Sequence, residues 1–107
     1  MTERMPTDRE LDALKILWRD RRATVRQIWT ELRQTDEHLA YTSVLSLMQA
    51  MEQKGLVGHE EVGRAYDYFA KVEQNSTFQR LAAGFLDRVF DGAMDQFLVH
   101  GLKSRRP

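Results

Sequence analysis

The sequence predicts a mainly α-helical chain with one small β-hairpin. Three observations predict it. Hydroxyl residues stand three positions before Glu or Gln, apolar residues recur at helical spacing behind them, and a short aromatic run alternates beyond a glycine. At 107 residues the chain is one domain, or a domain with an appendage, and is long enough for a core.

Three segments open with capping-box spacing: Thr7 before Glu10, Thr24 before Gln27, and Ser76 before Gln79. In each pair the hydroxyl accepts from an early backbone N–H and the later side chain reaches back to the cap. The first helix is expected over 8–19, with Leu11, Leu14 and Trp18 on one stripe. The second, over 25–34, repeats the pattern with Val25, Ile28 and Leu32. A link, "TDEHLA", leads to the third helix within "AYTSVLSLMQAMEQKG", which closes at Lys54-Gly55, where glycine suits a left-handed cap. Its apolar side is Val44, Leu47, Met48 and Met51.

Beyond Gly55 the period becomes two. "LVGHEE" and "RAYDYFA" flank Val62-Gly63, with Tyr66, Tyr68 and Ala70 facing one way and Ala65, Asp67 and Phe69 the other, as in a β-hairpin. Three helices followed by a hairpin is the order of a winged helix-turn-helix domain, here residues 1–74. Residues 75–107 read as a further helical segment. Phe78, Leu81, Phe85 and Val89 form its stripe, broadened by Ala82, Leu86 and Phe90. Asp91-Gly92 interrupts it, and Met94, Phe97, Leu98 and Leu102 follow. A lone helix cannot bury such a face, so a partner is expected. A second copy of the chain is the first choice, because most soluble oligomers are homo-oligomers.

Composition excludes several functions. Without cysteine there is no disulfide, thiolate metal site or cysteine nucleophile. His38, His59 and His100 are scattered, and the carboxylates are dispersed with no catalytic pair. No glycine-rich phosphate loop is present, and no cofactor or small-molecule site is evident. The charged amino terminus is unlike a signal peptide, and no apolar run is long enough to span a membrane, so a cytoplasmic, non-enzymatic protein is expected.

The polar side of the third helix carries Thr42, Ser46, Gln49 and Gln53, flanked by Ser43, Leu45 and Ala50. A merely solvated face usually carries Lys and Glu. Short hydroxyls and amides approach base edges closely: Gln pairs with adenine, and Ser or Thr with several partners. The third helix is also the one that enters the major groove in this architecture. The chain's formal net charge is zero, so any DNA-binding surface must be a local patch. Arg21, Arg22 and Arg26 around the start of helix two, Lys54 at the end of helix three, and Arg64 at the wing tip are the expected phosphate contacts, whereas Glu60 and Glu61 oppose deep entry of the wing.

These residues resemble the penicillinase-repressor family of bacterial transcriptional repressors. The likeness runs from about Leu11 to Leu102 and is carried by "LKILW", "ATVRQIW", "LAYTSVLSLMQAMEQKGLV", "GRAYDYFA" and "FLDRVFDGAMDQFL". The resemblance implies a dimeric winged-helix repressor on double-stranded operator DNA near its own promoter. It implies that Tyr41, Thr42, Ser43 and Ser46 read bases or touch nearby phosphates, that Arg64 is the wing contact, and that the stripe from Phe78 to Leu98 is the dimer interface. Relatives usually carry Arg where this chain has Ala50, and a more basic helix end where it has Glu52-Gln53. His100-Gly101 stands where better-known members have a cleavable Asn-Phe bond, and without cysteine the copper-responsive branch is excluded. Two other readings remain open: a winged helix that serves as a protein-interaction module, and a truncated member that heterodimerises with a full-length repressor.

Overall fold

The computed structural model describes residues 5–90. In chain order the elements are α1 (Asp8–Asp20), β1 (Ala23–Thr24), α2 (Val25–Leu32), α3 (Tyr41–Gln53), β2 (Val57–Val62), β3 (Ala65–Ala70) and α4 (Gln74–Phe90). The chain divides into two compact units, Met1–Gln74 and Asn75–Pro107. Met94, Phe97, Leu98, Leu102, the Asp91-Gly92 break and His100-Gly101 lie outside the described residues.

Two of the three expected capping boxes form. The Thr7 hydroxyl accepts from the Glu10 N–H at 3.2 Å, and the Glu10 carboxylate accepts from the Thr7 N–H at 2.9 Å. Thr24 and Gln27 repeat the exchange at the head of α2. The third does not sit at a helix start. α4 begins at Gln74, so Ser76 and Gln79 lie within it; Gln74 and Asn75 can occupy a first turn, and the helix extends upstream of the hydroxyl.

The inner side of α1 differs from the expected stripe. Ala13, Leu14, Ile16 and Leu17 are buried, while Leu11 and Trp18 are only half-buried. The reason is geometric: α1 packs against both α2 and the sheet, which demands a wider apolar face than one i, i+3, i+7 line. Trp18 remains anchored, its indole N–H donating to the Val72 carbonyl at 2.9 Å. α2 buries Val25, Ile28 and Leu32 as expected, but ends at Leu32.

The hairpin forms with the expected facing. Val57, His59 and Glu61 lie opposite Ala70, Tyr68 and Tyr66, and Gly63 takes the turn at φ 63. A third strand, β1, pairs antiparallel with β3, giving the order β1-β3-β2. Two residues are too few to show a period, and Thr24 serves at once as strand end and helix cap. Tyr68 lies at the middle of this sheet on its inner side, 1% exposed. On the outer face Gly58 leaves room for Phe69: a β-carbon there would stand 2.8 Å from the ring.

Arg21 ends α1 in a conformation unusual for a residue with a β-carbon, φ 72, while its N–H donates to the Leu17 carbonyl at 2.7 Å. Arg21→Gly is expected to raise the unfolding free energy by about 0.5–1 kcal/mol. Urea titration checks this, and an unchanged midpoint would count against strain at Arg21. Burial, reinforced by Glu52 and the neighbouring tyrosines, pushes the Tyr68 phenol above its ordinary value of 10.0. The fold therefore favours the neutral phenol. This contribution is complete below the ordinary phenol range and declines as pH rises through the raised value. Tyr68→Phe is expected to flatten the loss of stability on the alkaline side, followed by urea unfolding at a series of pH values.

Candidate nucleic-acid interface

α3 is held by its inner residues. Val44, Met48 and Met51 are buried in the core shared with α1, α2 and the sheet. Burying each such side chain contributes about 1.5–3 kcal/mol before entropy is counted. The helix closes at Gly55, φ 83, with the Leu56 N–H bonded to the Met51 carbonyl at 3.0 Å. Its amino-terminal cap, Ala40, supplies no side-chain bond. That end is instead fixed from α2. The Trp29 indole donates to the Leu39 carbonyl at 2.8 Å, and the Trp29 ring meets Tyr41 edge-on at 5.7 Å.

With the inner side fixed, Thr42, Ser43, Ser46, Gln49, Ala50 and Gln53 are turned outward and exposed. Tyr41 is half-buried, its ring engaged with Trp29 and with the Arg26 guanidinium at 5.5 Å. The outer face of α3 is thus a strip of hydroxyl, amide and methyl groups, uncharged along its length.

The ion-paired arginines and the expected contacts Arg22, Lys54, Arg26 and Arg64 divide into two classes. Arg9 pairs with Asp36 at 3.0 Å. Arg19 reaches Asp20 at 2.7 Å and Glu31 at 2.6 Å; both carboxyls are held below the usual carboxylate range by that guanidinium, whose own value is raised. Arg22 does not stand free for a phosphate as its sequence position suggests. It pairs with Glu60 at 2.8 Å and lies over Phe69 at 5.2 Å, because β1 carries it alongside the outer face of the hairpin. Lys54 is likewise turned inward: its ammonium meets the Glu10 carboxylate at 2.7 Å, tying the end of α3 to the start of α1. Glu10 is 4% exposed, so this pair is a structural tie.

Arg26 and Arg64 form the second class. Both are exposed, and both border a groove of about 480 Å³ between α2, α3 and the hairpin, lined also by Thr24, Tyr41, Leu45, Glu61 and Tyr66. The structure thus gathers Arg26, Tyr41 and Arg64 at one groove and sets the polar strip of α3 beside it. It also presents Arg33, which the sequence reading passes over, with its guanidinium 4.4 Å from the Trp29 ring centre. The four-residue spacing from Trp29 to Arg33 is the signal that was there to find it.

His38 and His59, the histidines among the described residues, belong to no metal-ligating cluster. His59 pairs with Glu52 at 2.8 Å and stacks on Tyr66 at 4.3 Å, joining the last turn of α3 to the hairpin. Among the described residues no group of three metal-ligating side chains occurs.

The sequence profile of the penicillinase repressors matches residues 6–106. The chain belongs to the penicillinase repressor family. Over 98 residues it is 20% identical to the penicillinase repressor of Bacillus licheniformis, covering 92% of this chain and 76% of that one. Its fold is similar to the solution structure of the DNA binding domain of the repressor BlaI, with a TM-score of 0.59 and 20% identity over 68% of this chain and 90% of that one. The architecture is therefore that of a winged helix, mainly helical with a small antiparallel sheet, and the family is one of repressors rather than enzymes.

The position of Lys54 at the end of α3 suggests a phosphate contact, whereas its bond to Glu10 makes it a structural tie. Lys54→Ala is expected to destabilise the fold by about 1–3 kcal/mol, because it leaves the Glu10 carboxylate buried with one partner fewer. Thermal and urea unfolding check the effect, and an unchanged stability would free Lys54 for a surface role.

Proposed function

We propose that the chain is a DNA-binding transcriptional repressor that acts as a homodimer on a palindromic operator. One observation carries the reading: the exposed strip of Thr42, Ser43, Ser46, Gln49 and Gln53 beside a groove bordered by Arg26 and Arg64. Hydroxyls and amides without hydrogen-bond partners among the described residues are suited to base edges, and flanking guanidiniums to phosphates. The Bacillus relative is named as a repressor, and the similar solved domain as DNA-binding, which supports the same reading. Arg22 and Lys54 are left out of the phosphate set, since each is engaged by a carboxylate.

Dimerisation is assigned to the carboxy-terminal unit. On α4, Phe78, Phe85 and Val89 are 69, 56 and 54% exposed, and Leu81, Leu86 and Phe90 are half-buried. This apolar face suits a second copy. Met94, Phe97 and Leu98 extend the assignment by sequence alone. Two copies would place two α3 helices in successive major grooves about 34–36 Å apart.

The zero net charge and the engagement of Arg22 and Lys54 favour a second reading, a winged helix that binds protein instead of DNA. Fluorescence anisotropy on the DNA upstream of the protein's own gene, with a random duplex as control and both titrated over salt, separates the two. Ser46→Ala and Gln49→Ala are expected each to cost about 1–3 kcal/mol on the upstream DNA and little on the random duplex. Arg26→Ala is expected to weaken both and to lower the salt slope by about one. Equal loss on both duplexes for Gln49→Ala would sink the base-reading role.

A further inference from the structure

We propose that Arg33 and Arg26, both seated on the ring of Trp29, form a two-cation clamp on the phosphates of one DNA strand beside the amino-terminal end of α3. The inference rests on the DNA-binding reading above and adds to it a residue and a platform. Arg26 and Arg33 lie 5.8 and 4.4 Å from the same indole centre, so their separation cannot exceed the sum of those two distances. Successive phosphates of a strand advance about 3.4 Å along the duplex axis, so two cations this close can meet neighbouring or next-neighbouring groups.

The ring fixes where the pair sits. Trp29 is bonded through its N–H to Leu39, two residues before α3, and its edge meets Tyr41, the first residue of that helix. The guanidiniums are therefore tied to the same end of the helix whose outer face carries Thr42 and Ser43. A guanidinium held over an aromatic face by cation–π attraction is restrained while its donors stay open, which lowers the side-chain entropy lost on meeting a phosphate. Arg9, Arg19 and Arg22 are each paired with a carboxylate, whereas Arg26 and Arg33 are exposed and have no carboxylate partner among the described residues. In a chain of zero net charge, two cations left uncompensated on one ring form a local positive patch.

The test uses the full chain and a random duplex, so that it does not depend on knowing the operator. Affinity is measured over a series of salt concentrations for the wild type, Arg33→Gln, Arg26→Gln, the double variant and Arg33→Lys. Each Gln variant is expected to lower the salt slope by about one and the double by about two. Arg33→Lys is expected to keep the slope while losing part of the affinity, since it keeps the charge and loses the planar stack. Thermal unfolding of each variant identifies any loss that comes from the fold, which would reduce the active fraction and leave the slope unchanged. An unchanged slope and affinity for Arg33→Gln, with the expected drop for Arg26→Gln, would overturn the clamp and leave the DNA-binding reading intact. Absence of salt-dependent binding by the wild type would remove both.

Discussion

Everything at the interface depends on the seating of α3 by Val44, Met48 and Met51. These side chains are essentially excluded from solvent, and close packing leaves the helix little freedom to rotate about its axis. A turn of even one residue position would expose a methionine and bury Gln49 or Ser46 without a partner, at a cost of a few kcal/mol. The core therefore decides which groups face outward, although no core residue reaches the surface. Ties at each end complete the constraint: Trp29 to Leu39 and Tyr41 at the start, Glu52 to His59 and Lys54 to Glu10 at the end. The hairpin and α1 are thus linked directly to the helix they frame.

The same ties account for the distribution of charge. Formal neutrality suggests a surface of mixed sign. In the fold, the wing's Glu60 is engaged by Arg22, the first turn's Glu10 by Lys54, and Glu31 and Asp20 by Arg19. Exposed pairs such as Arg22–Glu60 contribute little stability, but each removes one cation from the set open to a polyanion. Arg26, Arg33 and Arg64 have no such carboxylate among the described residues, and Arg26 and Arg64 border the groove next to α3. Glu61 shares that groove and opposes them, which limits how far its potential favours an anion.

Features written in local chemistry were legible in the sequence. The Thr7–Glu10 and Thr24–Gln27 boxes, the Gly55 cap and the alternation from Ala65 to Ala70 each require only neighbouring residues, and each formed. Features set by tertiary context were not legible. β1 exists only because β3 passes beside Ala23 and Thr24. Lys54 reads as a phosphate contact until α1 brings Glu10 against it, 44 residues away in sequence. Arg22 reads as a phosphate contact until Glu60 meets it, and nothing local shows that Leu39, Tyr41 and two guanidiniums gather around Trp29. The outward strip on α3 could be read because it is the complement of a helical stripe, whereas ion pairing is a property of the folded surface.

A reader of DNA with few unpaired cations beside its reading helix would work in a particular regime. Non-specific affinity grows with the number of phosphates neutralised, so on the proposed reading a contact set of Arg26, Arg33 and Arg64 would hold random duplex weakly at physiological salt. Contacts between the α3 amides or hydroxyls and base edges add free energy only at matching sequence. Lowering the electrostatic share while keeping the base-edge share raises the ratio of specific to random binding, which decides occupancy among many competing sites. The absolute affinity of one copy is then low. In the proposed homodimer, a second copy joined through α4 would make the second binding event intramolecular, recovering affinity without adding charge. On the proposed reading, the uncharged outer face of α3 and the exposed apolar residues of α4 would be two parts of one solution, with selectivity in the first relying on pairing through the second.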